Sequence, residues 1–280
     1  MPGYRAPRRS MQPRAAPRGP RDLTHPSARG TRPSVARDEA RAAGEGDEAE
    51  EIRRFYRERF LPQNAWWPIL PHAYLCQRQR QRRIRQSLQE IGVASFEDLR
   101  ALRVLEVGCG GGSNLAWLVE MGADPTGLVG VDLVPERIEQ ARQRCAGVRF
   151  LAGNILETDV GGPFDVVMLF AVLTSVTNAE TKQKIMEKCL SLLRPGGALL
   201  FYDLMTRRED PGTPNYKKLT YAEFEGYLGG RRPRYFKRDY LRRDVAERIV
   251  PLPRVGLFAA EVLQAIGWFN IEATFAHVRA

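Results

Sequence analysis

Between Val104 and Leu118 the chain passes from a β-rich apolar run, Val104-Leu105-Glu106-Val107, through Gly108-Cys109-Gly110-Gly111-Gly112-Ser113-Asn114 into the helical segment Leu115-Ala116-Trp117-Leu118. A strand feeding a glycine turn feeding a helix constrains the fold more than any other stretch of the sequence. Glycine tolerates positive φ and has no Cβ, so the backbone can turn tightly at the carboxyl edge of a sheet and a ligand can lie against it. After Leu102 the texture continues in the same sense, with short β-rich runs alternating with helical ones. The pattern predicts strands near 103–107, 127–132, 148–152, 164–170 and 197–203 and helices near 112–121, 135–145 and 178–193, a doubly wound α/β core.

Asp132 stands twenty residues past Gly112, where Gly130-Val131-Asp132-Leu133 closes the second strand, and an acid there can accept both hydroxyls of a ribose. The competing reading is a helix cap ahead of Pro135-Glu136-Arg137. Spacing separates two cofactor classes. A dinucleotide fingerprint is G-x-G-x-x-G, but here Ser113 falls where its third glycine belongs, and the pattern is G-x-G-x-G.

With Glu106 before it, the stretch from Val104 to Gly112 resembles motif I of the class I S-adenosylmethionine-dependent methyltransferases, and the likeness runs through most of residues 100–204. The resemblance implies a Rossmann-like, doubly wound, mostly parallel seven-stranded sheet with helices on both faces and an antiparallel last strand. It implies S-adenosylmethionine as cofactor, with Glu106 and the backbone of Gly108, Cys109, Gly110 and Gly112 near its methionine part, Asp132 on the ribose and Leu133 beside the adenine. Phe150 to Leu156 resembles the family's adenine-contacting segment. It carries Asn154 where many relatives have Asp, followed by Ile155; Asn154 also reads as a turn residue. Phe164 to Phe170 resembles the fourth strand and brings Phe170 to the cofactor edge, with Asp165 at the far end. Leu192 to Phe201 resembles the following helix end, tight Pro-Gly-Gly turn and fifth strand. The segment from Phe269 to Val278 reads as the terminal antiparallel strand.

A sulfonium methyl is already electrophilic, so the protein has to hold a nucleophile in line and exclude water; no metal site is called for. An oxygen nucleophile of high pKa would also need a base. Asp203 and Tyr202 are the catalytic candidates, because they close the fifth strand at the ligand-binding edge, although Asp203 reads equally as a loop carboxylate satisfied by nearby amides. Thr174 and Ser175 are substrate-facing or capping hydroxyls. His72, after Pro71, reads as a packed or exposed residue before a catalytic one, and Trp66, Trp67 and Tyr74 read as packing residues as readily as parts of a lid.

The net charge of +10 suggests nucleic acid until it is apportioned. Residues 1–37 hold nine arginines against Asp22, which leaves 34 basic and 32 acidic residues elsewhere and a charge of +2. Residues 1–45 are rich in Arg, Pro, Ala, Gly and Ser and predict a disordered tail; their prolines oppose a transit-peptide helix. Residues 46–100 predict N-terminal helices, one from Asp47 to Pro62 and one after Pro71, with Arg78, Arg80, Arg82, Arg83 and Arg85 on a solvated face. Residues 101–280 are the expected core, with a substrate-region insertion near 205–250. The basic and aromatic run from Arg231 to Arg238 is read as a solvated strand. No apolar run reaches the ~20 residues of a bilayer span, so no membrane partner is expected, and four scattered cysteines with no export signal fit the cytoplasm. The expectation is a methyltransferase acting on oxygen or nitrogen of a small molecule. An RNA or protein methyltransferase, an NAD(P)-dependent oxidoreductase and a non-catalytic cofactor-binding module are the alternatives. Nucleic acid has in its favour the Arg-rich tail and the interleaved basic and aromatic residues of Arg231 to Arg238, which also suit a phosphorylated substrate, and oligomeric state leaves no trace in the pattern.

Overall fold

The computed structural model describes residues 45–60, 70–237, 240–268, 270–271 and 273–280, so the expected tail before Glu45 and the lid candidates Trp66 and Trp67 lie outside the described residues. Helix α1 (Glu45–Phe55) continues into a π turn (Tyr56–Phe60), and α2 (Pro71–Glu90) starts on Pro71, whose missing N–H costs nothing in a first turn. A short α3 (Phe96–Arg100) follows, closed by a capping box in which Ser95 and Asp98 exchange hydrogen bonds.

The sheet comprises β1 (Val104–Val107), β2 (Leu128–Asp132), β3 (Arg149–Ala152), β4 (Phe164–Phe170), β5 (Leu193–Thr206), β7 (Arg234–Lys237) and β8 (Ala273–Arg279), ordered β3-β2-β1-β4-β5-β8-β7. β1 to β5 are parallel, and β8 runs antiparallel to both β5 and β7. A two-residue β6 (Leu219–Thr220) pairs with the end of β5. The order reverses between β1 and β4, which opens a crevice at the carboxyl ends of those strands.

Alternation along the strands distributes side chains to two apolar layers. Val104, Met168, Phe170, Leu200 and Tyr202 meet α2, α4 (Ser113–Met121) and α5 (Pro135–Arg144) through Ile84, Leu115, Leu118 and Ile138. Leu105, Val107, Leu169 and Phe201 meet α6 (Ala179–Ser191) and α7 (Tyr221–Gly226) through Ile185, Met186 and Phe224. The fold is therefore the doubly wound, mostly parallel sheet with helices on both faces that the sequence pattern predicts. Two further helices, α8 (Arg243–Ile249) and α9 (Gly256–Ile266), pack beside α2.

Two expectations change in detail. The tight turn expected at Pro195-Gly196-Gly197 lies inside β5 as an irregularity: the register with β4 jumps from Phe164↔Leu193 to Val166↔Ala198, and a Cβ on Gly197 would sit 2.7 Å from the Asp165 carbonyl. The arginines of α2 do not share one solvated face. Arg83 lies 4.1 Å from the Phe236 ring, and Arg80 carries a buried Nε.

Candidate active site

The glycine loop is a set of left-handed turns on alternate residues. Gly108, Gly110 and Gly112 have φ of 70°, 54° and 72°, while the intervening positions do not need glycine for their backbone. The G-x-G-x-G spacing is thus the spacing of the positive-φ positions. At Gly112, which caps α4, a Cβ would lie 2.9 Å from the Phe150 ring and 3.0 Å from Ala141. The amides of Gly108 and Cys109 both donate to the Val131 carbonyl, at 2.8 and 3.1 Å, and tie the loop to β2. Cys109 buries its side chain against Gly130, with Sγ donating to the Gly110 carbonyl at 3.7 Å. It can therefore contribute backbone only.

Asp132 at the end of β2 is buried and already engaged: Gly110 N donates to Oδ2 at 2.8 Å and Val134 N to Oδ1 at 2.9 Å. The acid thus pins the loop and the start of α5 at once. Arg137 sits 3.9 Å from it, and its guanidinium fills the space over Gly110 and stacks 5.3 Å from the Tyr56 ring. No sequence signal singled out Arg137 beyond its place in the first turn after Pro135.

Glu106, on β1 beneath the loop, is buried. Asn114 Nδ2 donates to Oε1 at 2.6 Å, while Oε2 has no hydrogen-bond partner. Burial pushes its pKa up to about 7, against the Asn114 hydrogen bond and the attraction of Arg80. Arg80 reaches in from α2, and its buried Nε is likewise unpartnered. Two unpartnered groups of opposite charge in one neighbourhood match the ammonium and carboxylate of a methionine moiety. The sequence hid Arg80 among four other arginines, and only its i+4 relation to the buried Cys76 and Ile84 could have marked it as inward.

A cleft opens at the crevice, lined by Gly108, Asp132, Leu133, Asn154, Ile155, Ala171, Val172 and Ser175 and roofed by Ile52 and Tyr56 of the N-terminal segment. The expected adenosine residues therefore come together. Asn154 accepts from Leu156 N at 3.1 Å, so it forms the local turn and lines the cleft at the same time. Ala171 has a φ of 54°, a conformation that costs a non-glycine residue energy and recurs at ligand sites. Phe170 does not line this cleft; it packs on Tyr202 and Phe275, on the Glu106 side of the sheet.

The N-terminal segment is fastened over the cleft from both ends. Glu48 Oε1 accepts from Thr177 N, Thr177 Oγ1 and Asn178 N at 2.7 to 3.0 Å, Arg53 Nε donates to the Leu133 carbonyl at 3.0 Å, and Tyr56 Oη meets Ser175 Oγ at 2.9 Å. Arg57 adds an ion pair to Glu136 at 2.7 Å. Tyr74, in contrast, is exposed, with its hydroxyl on Arg78, and His72 lies 3.2 Å from Glu247 of α8.

Tyr202 and Asp203 are neighbours on β5 but face opposite layers. Tyr202 stacks 4.6 Å from Tyr240, and burial raises its phenol far above the ordinary range. Asp203 accepts from Thr174 N at 3.0 Å and Leu204 N at 2.9 Å, and burial pushes its pKa up to about 7. Lys182, fully buried on α6, is the charge that draws it back down, and burial lowers the lysine's own pKa. Both readings of Asp203, base and amide-satisfied carboxylate, were open in the sequence; its hydrogen bonds are those of the second.

Comparison with known proteins agrees with this geometry. Residues 104–197 match the family model described as a methyltransferase domain. The ubiquinone biosynthesis O-methyltransferases of Xanthomonas euvesicatoria pv. vesicatoria and Azorhizobium caulinodans are each 34% identical, over 118 and 111 residues, or 40% and 38% of this chain. The match spans 47% and 42% of those proteins, less than half of their length. Among solved structures, the magnesium protoporphyrin IX methyltransferase of Synechocystis with bound S-adenosylmethionine superposes with a TM-score of 0.56 at 17% identity, covering 85% of this chain and 99% of that one. The 1,6-didemethyltoxoflavin-N1-methyltransferase of Burkholderia thailandensis gives 0.55 at 18%, covering 85% and 90%. Residues 104–197 are a methyltransferase domain, set in the fold of that class.

Proposed function

We propose that the chain, with its methyltransferase domain at residues 104–197, transfers a methyl group from S-adenosylmethionine to an oxygen or nitrogen of a small molecule. The observation that carries the reading is the pairing of an unpartnered, buried Glu106 Oε2 with an unpartnered, buried Arg80 Nε beneath the glycine loop. In this reading Glu106 takes the cofactor's ammonium and Arg80 its carboxylate, Asp132 takes the ribose, and Leu133, Asn154 and Ile155 enclose the adenine. The cofactor supplies an electrophilic methyl on a cationic sulfur. An acceptor lone pair displaces the thioether, and the acceptor's proton passes to a base or to solvent.

Asp203 is the proposed base, and the alternative role for it is to hold Thr174 and the segment after β4 in place. The Tyr202 phenol, kept neutral by burial, is proposed as a hydrogen-bond donor. An acceptor that is acidic in its own right, such as a phenol, an enol or a carboxylate, suits a site whose carboxylate is already committed to amides. A small-molecule acceptor is supported by the names of the relatives, which include quinone, porphyrin and toxoflavin methylation, and by the near-neutral charge outside residues 1–37.

The test is a mass-spectrometric screen of metabolite pools for a gain of one methylene, run with purified protein and S-adenosylmethionine beside calorimetric titrations of S-adenosylhomocysteine and NADH. Tight binding of the thioether and a product heavier by one methylene support the reading. Binding of NADH alone would replace it with an oxidoreductase, and binding of S-adenosylmethionine with no turnover in any pool would leave a non-catalytic module.

A further inference from the structure

Helix α9 carries apolar residues on a side that the fold does not cover. Val255, Phe258, Val262 and Ile266 recur at three- and four-residue spacing and form one stripe along the helix. All four are exposed, Phe258 to 70%, and Trp268 just beyond the helix end is 84% exposed. The opposite side does the packing, where Ala260, Leu257 and Leu263 meet Leu75 of α2 and Ala246 of α8. A core helix needs one apolar side, and α9 has two.

Ile266 and Trp268 share a groove with Arg78, Arg82, Arg83 and Arg85 of α2. Arg78 is paired with Glu261 at 2.8 Å and Arg83 is stacked on Phe236, but among the described residues no carboxylate pairs with Arg82 or Arg85. The carboxyl-terminal end of the uncovered stripe is thus bordered by guanidinium charge, with Glu261 committed to Arg78. Contiguous exposed apolar surface of this kind marks an interaction face, and the rim chooses the partner. A second copy of the chain meeting itself here would bring like arginine rims together. An anionic lipid surface satisfies both parts: aliphatic and aromatic side chains enter the boundary between headgroups and acyl chains, indole sits at that depth, and arginines stay among the phosphates.

We propose that α9, Trp268 and the arginine rim of α2 dock the protein peripherally on an anionic phospholipid membrane, with α9 lying in the plane of the interface. Among the described residues no helix is long and apolar enough to cross a bilayer, so this is attachment to one leaflet. Sequence periodicity excludes a spanning run but does not tell an exposed apolar stripe from a buried one. Helix α2 carries the rim on one side and Arg80 on the other, so the helix that meets the lipid also forms a wall of the candidate active site. Docking goes beyond the methyl-transfer reading and stands without it.

Flotation of the full chain with vesicles of phosphatidylcholine, alone or mixed with phosphatidylglycerol, tests the proposal without cofactor or acceptor, so its failure is separate from any failure of the catalytic reading. The mixed vesicles are expected to bind the protein and the neutral ones to bind it poorly, with salt weakening the interaction. Replacing Phe258 and Trp268 together by Ser is expected to lower partitioning by about tenfold or more, as is Arg82→Glu with Arg85→Glu, with unchanged circular dichroism and melting temperature. Vesicles are expected to shift the tryptophan emission to the blue, and Trp268→Phe to remove most of that shift. The proposal is overturned if the wild type ignores anionic vesicles, or if the Phe258/Trp268 double variant binds as well as the wild type, which would assign the attraction to the Arg-rich N-terminal residues. A concentration-dependent dimer that this double variant abolishes would overturn it too, in favour of a second copy as occupant.

Discussion

At the scale of single residues, Asp132 shows how far sequence spacing carries. Its position after β2 was legible because a strand end twenty residues past a glycine loop is a fixed place in this architecture; the helix-cap alternative does not form, since Val134 is the N-cap of α5 and no side chain caps it. The carboxylate accepts from Val134 N and Gly110 N and still lines the cleft. Asp132→Ala is therefore expected to weaken S-adenosylhomocysteine binding by on the order of tenfold or more, since hydrogen bonds to charged groups contribute roughly 1.5–3 kcal/mol, and to lower the melting temperature through the freed amides. Unchanged affinity in a titration would reduce Asp132 to a tether for Gly110 and Val134. Arg80 was hard to read, because alternating Arg and Gln has no periodicity of its own and only the four-residue spacing from Cys76 and to Ile84 marks which arginine turns inward. If it holds the methionine carboxylate, Arg80→Met weakens S-adenosylhomocysteine about tenfold or more while leaving 5′-methylthioadenosine, which lacks that group, bound as before. Equal losses for the two ligands would mean that Arg80 only supports the local packing. Asp203→Asn separates the two roles left to that residue: a base loses kcat with a flattened pH profile, whereas a tether raises KM and lowers stability.

At the scale of elements, the parallel core was legible because each of its strands is short, apolar and bounded by glycine or a capping residue, and the observed limits fall within a residue or two of the expected ones for β1 to β4. Strand β5 begins earlier, at Leu193, because the Pro-Gly-Gly segment is absorbed as a bulge. What the pattern could not give was placement. The apolar residues of α1 announced a helix, but whether it packs on the sheet or over the crevice depends on long-range partners such as Thr177 and Leu133, more than seventy residues away in sequence. Those partners make α1 a strap over the adenosine cleft. Tyr56→Phe with Glu48→Gln removes the hydroxyl contact to Ser175 and weakens the charge-assisted bonds at Thr177 and Asn178 while leaving the apolar roof in place. The pair is expected to speed dissociation of S-adenosylhomocysteine several-fold, measured by stopped-flow fluorescence, with little change in the melting temperature of the free protein. A fall in that melting temperature with no change in the dissociation rate would show the strap to be ordinary packing.

At the scale of the whole molecule, the site makes stability depend on pH. Glu106 and Asp203 are buried carboxyls whose pKa values rise to about 7 in the folded chain. A carboxyl raised in this way contributes stability that is complete below its unfolded pKa, near 4, and is lost as pH climbs from there through 7, about 4 kcal/mol per group. His277 acts in the opposite sense. Burial lowers its pKa, so it opposes folding as pH falls below the ordinary histidine range. The two carboxyls outweigh the one histidine between pH 5 and 7, so the free protein is expected to lose melting temperature from about pH 5 toward pH 8, and Glu106→Gln makes that decline shallower because an amide has no charge to desolvate. A bound ammonium reverses the cost at Glu106, since it favours the carboxylate. The rise in melting temperature produced by S-adenosylhomocysteine is then larger at pH 8 than at pH 6 in the wild type and nearly independent of pH in Glu106→Gln. A ligand-induced rise that is flat with pH in both proteins would separate Glu106 from the amino-acid end of the cofactor, and would leave its orphaned oxygen as a cost of folding unrelated to binding.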